Sequence, residues 1–118
     1  MIIVATDLPV SERQLNRIIK RSVTGLSRTG SIITHGSGEI IIGFSTATKI
    51  PHYKPEKLMA VPQVHEEDLD IAFRAIGEAT EEAVLNSLVT AEAVIGRDGN
   101  HRPAFKDLIQ KYGISLTP

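Results

Sequence analysis

The sequence predicts a mixed α/β (α+β) fold that is not complete by itself, and three observations carry that prediction. Two runs, I-I-V-A-T at 2–6 and I-I-I-G-F-S-T at 40–46, are apolar or small on both parities, the mark of strands covered on both faces. Two stretches, from Ser11 to Gly30 and from Glu66 towards Ile95, carry apolar residues at helical spacing. Two strands and two substantial helices supply too few layers to bury such strands, and an isolated strand pair is marginal in water. The chain is therefore expected to pack against something else: copies of itself, a partner chain, or a missing part of its own protein.

At 118 residues the chain is expected to be one domain, 1–118. Hydrophobic residues make up 42% and charged residues 23%, an ordinary globular composition. The formal net charge of −1 argues against binding nucleic acid or an anionic membrane, which needs an excess of Lys and Arg. There is no cysteine, so disulfides and thiolate chemistry are out. His35, His52, His65 and His101 show no close ligand spacing, and no metal or other cofactor is expected. No apolar run approaches the roughly 20 residues that span a bilayer. The N-terminus carries no positively charged lead-in or cleavage site, so the expected location is the cytoplasm.

The elements are justified in chain order. After the first strand, Asp7-Leu8-Pro9 breaks the backbone, and Ser11 with Gln14 resembles a capping box. Leu15, Ile18, Ile19 and Leu26 then form a helical stripe, with Val23 near it, and Gly30 stops the helix. Arg13, Arg17, Lys20, Arg21 and Arg28 occupy the other face and read as solvated, since no aromatic residue interleaves for base stacking. After the second strand, Pro51, Pro55 and Pro62 mark an irregular connection. Glu66, Glu67, Asp68 and Asp70 crowd the start of the next helix, where the dipole favours negative charge. Its stripe runs through Leu69, Ala72, Phe73, Ile76, Ala79, Ala83, Val84 and Leu88 to Ile95, a helix on the order of 40 Å long. Gly96-Arg97-Asp98-Gly99-Asn100 is a turn-rich loop, and Pro103 is placed to open a last short helix that Gly113 closes.

The candidate site is H-G-S-G-E at 35–39, at the mouth of the second strand. Ser37 and Glu39 share parity and hence a strand face, about 7 Å apart along it. A hydroxyl beside a carboxylate can orient a nucleophile, hold a proton or bind an amine, and Gly36 and Gly38 allow close approach. Taken alone the pattern is equally that of a surface turn. It is not a G-x-S-x-G elbow, and nothing assigns a histidine to Ser37.

Several motifs in order are more specific: I-I-V-A-T-D at the start, G-L-S-R-T-G-S at 25–31, G-S-G-E-I-I-I-G-F-S-T-A at 36–47, T-E-E-A-V-L-N-S-L at 80–88 and G-R-D-G at 96–99. Together they resemble the L-aminopeptidase/D-amidase-esterase family, which includes the β-peptidyl aminopeptidases. The resemblance implies a precursor that cleaves itself, leaving a C-terminal fragment whose first serine is the nucleophile and whose new α-amino group serves as base. It implies a four-layer αββα sandwich and an oligomer, with the present chain matching the C-terminal fragment and a separate N-terminal part supplying most of the pocket and the oxyanion donors. Substrates would be peptides, amides or esters with a free N-terminal residue.

Carried across, the resemblance makes Ser37 and Glu39 the supporting catalytic residues beside the nucleophile. Asp7 and Thr46 at the strand ends are weaker candidates, otherwise a turn residue and a strand-end hydroxyl. The chain opens with Met1 where the family opens with serine, so the nucleophile is expected just upstream, and the chain alone is expected to be inactive. The competing expectation is a non-catalytic, oligomeric αβ binding domain, in which the G-S-G-E turn is a relic of the enzyme.

Overall fold

The computed structural model describes residues 1–115, which form two compact units, one of residues 1–81 and one from Glu82 onward. In the first, strand β1 (Ile2–Thr6) leads through helices α1 (Glu12–Ile19) and α2 (Ser22–Arg28) to strand β2 (Ile41–Ser45). The two strands pair in parallel, Ile2 against Ile41 through Thr6 against Ser45. Parallel neighbours need a crossover connection, and the helical pair supplies it. A single turn of 3-10 helix at Glu66–Asp68 then opens helix α3 (Leu69–Thr90).

Gln14 explains the start of α1. The Ser11 hydroxyl accepts the Gln14 N–H at 3.3 Å, and the Gln14 side-chain carbonyl accepts the Ser11 N–H at 3.0 Å, which completes the expected capping box. The Gln14 amide also donates to the Val64 carbonyl at 2.9 Å, so the same buried side chain ties α1 to the segment that leads into α3. Ile18, Leu69, Ala72 and Ile76 form the core, with Val4, Val10, Val64 and Phe73 packed against it. A Cβ at Gly43 would lie 2.6 Å from Ile19 Cγ2, so α1 lies directly on the middle of β2.

The single helix expected from Ser11 to Gly30 is broken. α1 is capped at Lys20, and α2 begins only after Arg21, whose φ of −83° and ψ of −4° stay within the right-handed helical region. Ser22, Thr24 and Gly25 are weak helix formers, so little local stability is lost at the bend. What the bend gains is a close crossing of α2 and α3, because a Cβ at Gly25 would sit 2.4 Å from the Gly77 carbonyl oxygen. Gly30 ends α2 as expected: its φ is +91°, and the Ser31 N–H reaches back to the Leu26 carbonyl at 3.2 Å.

Strands β1 and β2 each alternate between half-buried and exposed residues. Val4 and Gly43 lie on the helix-covered face, while Ile3, Ile42 and Phe44 share the other and are 65%, 51% and 48% exposed. One face of the sheet is thus apolar and open.

Helix α3 is 22 residues, about 33 Å at 1.5 Å per residue, and ends at Thr90 rather than near Ile95. Val94–Ile95 form strand β3, which pairs antiparallel with β4 (His101–Arg102), Ile95 opposite His101. The turn between them has Asp98 at φ +58° and Gly99 at φ +75°, with the Asn100 N–H on the Arg97 carbonyl at 3.2 Å. Asp-Gly in that conformation is the turn that matches the twist of a hairpin. The last helix, α4 (Phe105–Tyr112), starts after Ala104, so Pro103 stands before the cap and not in the first turn. Gly113 closes it at φ +60°.

Candidate functional site

The linker from α2 to β2 carries the candidate residues. The Ser37 N–H donates to the Thr34 carbonyl at 2.8 Å, closing a turn whose two central residues are His35 and Gly36. Ser37 and Glu39 follow, both exposed. Among the described residues neither the Ser37 hydroxyl nor the Glu39 carboxylate has a side-chain hydrogen bond or ion pair. Strand pairing begins immediately beyond them, with the Ile2 N–H on the Ile40 carbonyl at 2.9 Å.

The parallel register fixes what lies beside this turn. With Ile2 against Ile41, Met1 comes level with Ile40 one step back along the pair. The mouth of β1 is therefore adjacent to the G-S-G-E turn, although 38 positions separate Met1 from Glu39 in sequence. Asp7 and Thr46 lie at the other end. The Thr46 N–H donates to the Thr6 carbonyl at 2.9 Å, and its hydroxyl to the same oxygen at 3.3 Å. Strand pairing over Ile41–Ser45 puts roughly 13 Å between the two ends, so the structure does not bring Asp7 or Thr46 to Ser37 and Glu39. Thr46 is a strand-end hydroxyl.

The basic face of α1 and α2 is not simply solvated. The Glu66 carboxylate holds both Arg13 and Arg17 and accepts a hydrogen bond from the Gln14 amide at 3.0 Å. Partial desolvation acts to raise the Glu66 carboxyl, but the hydrogen bonds from Gln14 and Arg13 and the charges of Arg13 and Arg17 outweigh it and hold the group below its ordinary value. The Arg21 guanidinium stacks 3.5 Å from the centre of the Phe73 ring, and Arg28 meets Glu81 at 3.3 Å. Four of the five cations are thereby spent on contacts within the chain. Among the described residues no group of three His, Cys, Asp or Glu side chains is arranged to hold a metal ion. Among the described residues no helix is long and apolar enough to cross a membrane.

A family model described as peptidase family S58 matches residues 1–102. The chain belongs to peptidase family S58. It is 35% identical over 99 residues to the β-peptidyl aminopeptidase BapA of Sphingosinicella microcystinivorans, a match that covers 84% of this chain and 25% of that protein. A solved protein of Pyrococcus horikoshii is 40% identical with a TM-score of 0.78, covering 94% of this chain and 33% of that one. The L-aminopeptidase D-Ala-esterase/amidase of Ochrobactrum anthropi, described as a prototype of the serine aminopeptidases and a variant of the Ntn hydrolase fold, is 33% identical with a TM-score of 0.75. It too covers 94% of this chain and 33% of its own.

The resemblance drawn from the motifs is thus borne out, and so is the mixed helix and strand fold as part of that larger architecture. This S58 chain spans about a quarter of the length of the curated relatives it matches. The open apolar face of its sheet agrees with a part of a larger fold.

Proposed function

We propose that this S58 chain is the portion of a serine aminopeptidase that supports the nucleophile, with Ser37 and Glu39 as the supporting pair. One observation carries the reading: the parallel register brings the mouth of β1 alongside a turn that offers an exposed, unpaired hydroxyl and carboxylate. A residue that continued β1 upstream of Met1 would come level with Glu39. A serine there, with its own α-amino group as base, would attack the carbonyl carbon of a peptide, amide or ester.

In that reaction the hydroxyl oxygen bonds to the carbonyl carbon while its proton passes to the amine. The bond to the leaving group breaks as the resulting ammonium returns the proton, and water then hydrolyses the acyl ester. Glu39 orients the amine through a charge-assisted hydrogen bond and stabilises the ammonium form. Ser37 completes the hydrogen-bond link between carboxylate and nucleophile. The open face around Ile3, Ile42 and Phe44 is covered by the remaining layers of the αββα sandwich, supplied by a partner chain, by further sequence of the same protein or by self-association. The substrates are peptides and amino-acid amides with a free amine, and the setting is the cytoplasm.

The test is hydrolysis of an amino-acid p-nitroanilide by the protein as its gene encodes it and by its Glu39→Gln variant. The reading expects turnover to fall by about a hundredfold, the scale of one proton-handling group, with the melting temperature unchanged. Wild-type turnover in Glu39→Gln would refute it. The apolar open face also favours a second reading, a binding-only domain that pairs such faces between copies. That reading expects no hydrolysis from either form.

A further inference from the structure

The linker that carries Ser37 and Glu39 places its residue types against their backbone preferences. Ile33 has a φ of +47°, in the left-handed region that β-branched residues avoid. Gly36 and Gly38, three and five positions on, have no positive φ, and a Cβ on either would meet nothing within 4 Å. Glycine thus stands where any residue would fit, and isoleucine stands where glycine would be comfortable.

The linker is anchored at both ends. The Ser31 N–H bond to the Leu26 carbonyl at 3.2 Å holds one end of the linker, and the Ile2 N–H bond to the Ile40 carbonyl at 2.9 Å holds the other. Between them the chain must reverse, and the Thr34–Ser37 turn does so directly after Ile33. The Ile33 side chain is half-buried while its neighbour Ile32 is 85% exposed.

We propose that Ile33 is a positioning residue that aims the Ser37–Glu39 turn at the mouth of β1. The inference rests on the supporting role of Ser37 and Glu39. A β-branched residue has few backbone conformations, so once its side chain is seated the turn that follows has one direction. Gly36 and Gly38 then leave both sides of Ser37 free of side-chain bulk for the reacting groups. A glycine at 33 would accept the same backbone without strain, together with many others, and the turn would lose its aim.

The experiment compares steady-state kinetics and thermal melting of the whole protein with its Ile33→Gly, Ile33→Val and Glu39→Gln variants. Ile33→Gly relieves the left-handed strain but loses the half-buried side chain, so it is assayed at a temperature where it is fully folded, and there kcat is expected to fall about tenfold, the cost of a misplaced catalytic group, with KM nearly unchanged. Ile33→Val keeps the β-branch and is expected to retain kcat within about twofold. Wild-type kcat in Ile33→Gly overturns the proposal. So does a kcat loss that disappears when the rate is normalised to the folded fraction measured by circular dichroism at the assay temperature. Slow turnover in Glu39→Gln alongside normal Ile33→Gly sinks the positioning role alone, whereas full turnover in Glu39→Gln removes the supporting pair and this inference with it.

Discussion

Replacing Gly25 by alanine tests the contact that sets the geometry of the helical layer. An added Cβ would lie 2.4 Å from the Gly77 carbonyl oxygen, 2.7 Å from Thr80 Cβ and 2.8 Å from the Glu81 nitrogen. Two of these three atoms belong to the α3 backbone and cannot rotate away, so α2 and α3 must part by about 1 Å to restore ordinary contact. Overpacking of this kind costs about 1–3 kcal/mol, and the rigid neighbours put Gly25→Ala near the upper end. Alanine recovers about 1 kcal/mol of helix propensity, which leaves a net loss of about 2 kcal/mol. For a chain of this size that lowers the melting temperature by about 10 °C, readable by far-UV circular dichroism. An alanine variant that melts at or above the wild-type temperature would refute the close crossing, because propensity would then have won. Gly43→Ala is the internal comparison. Its Cβ meets the Ile19 Cγ2 atom at 2.6 Å, a side-chain atom that can move, so its loss should be smaller.

Three further outcomes follow from the same structure. Glu66 is held below its ordinary carboxyl value, so its contribution to stability is present above the unfolded-state value and is lost as pH falls through the folded one. Glu66→Gln should therefore melt lower than wild type at neutral pH and show a flatter loss on the acid side, and parallel acid limbs would contradict the clamp. Ile42→Asp places a charge on the open face of the sheet, 51% exposed here, so the helix-covered side should still form while assembly and turnover are lost. Turnover at the wild-type level in that variant would show that nothing covers the face. Asp98→Val puts a β-branched residue at φ +58° and should raise amide exchange across Val94–Ile95 and His101–Arg102, leaving β1 and β2 protected.

Much of the first unit was legible because local chemistry and final structure agree there. Ser11 and Gln14 make the capping box that their spacing announces, Gly30 ends α2, and the two apolar runs are the two strands. The apolar residues on both parities also foretold the open face, since Ile3, Ile42 and Phe44 have no reason to be apolar if solvent is their final neighbour. What the sequence hid lies in long-range contacts. The bend at Arg21 answers to Gly77, more than fifty residues away. The basic face finds its partner in Glu66 at a similar separation, so residues that look solvated in a helical projection are engaged.

In sequence Val94 and Ile95 extend the apolar stripe of α3, although the helix ends at Thr90 and the two residues form β3. The Asp98-Gly99 pair, a hairpin signal, was the cue that outranked periodicity. At the candidate site, Ser37 and Glu39 were visible as types in a Gly-rich turn, and the family motifs singled them out. Their neighbour across the sheet, the mouth of β1, emerged only from the parallel register. The left-handed backbone of Ile33 left no trace at all, since isoleucine is among the last residues a reader would place there.

The account stands on the nucleophile lying at the mouth of β1 beside Glu39, and covalent labelling tests that most directly. The protein as its gene encodes it would be treated with a sulfonyl fluoride, which sulfonylates an activated serine hydroxyl, and the modified peptide mapped by mass spectrometry. The account predicts loss of hydrolysis together with a single label on the residue that continues β1 next to Glu39, and slower labelling in Glu39→Gln. A label on Ser37 itself, or on a serine remote from that end of the sheet, would contradict it.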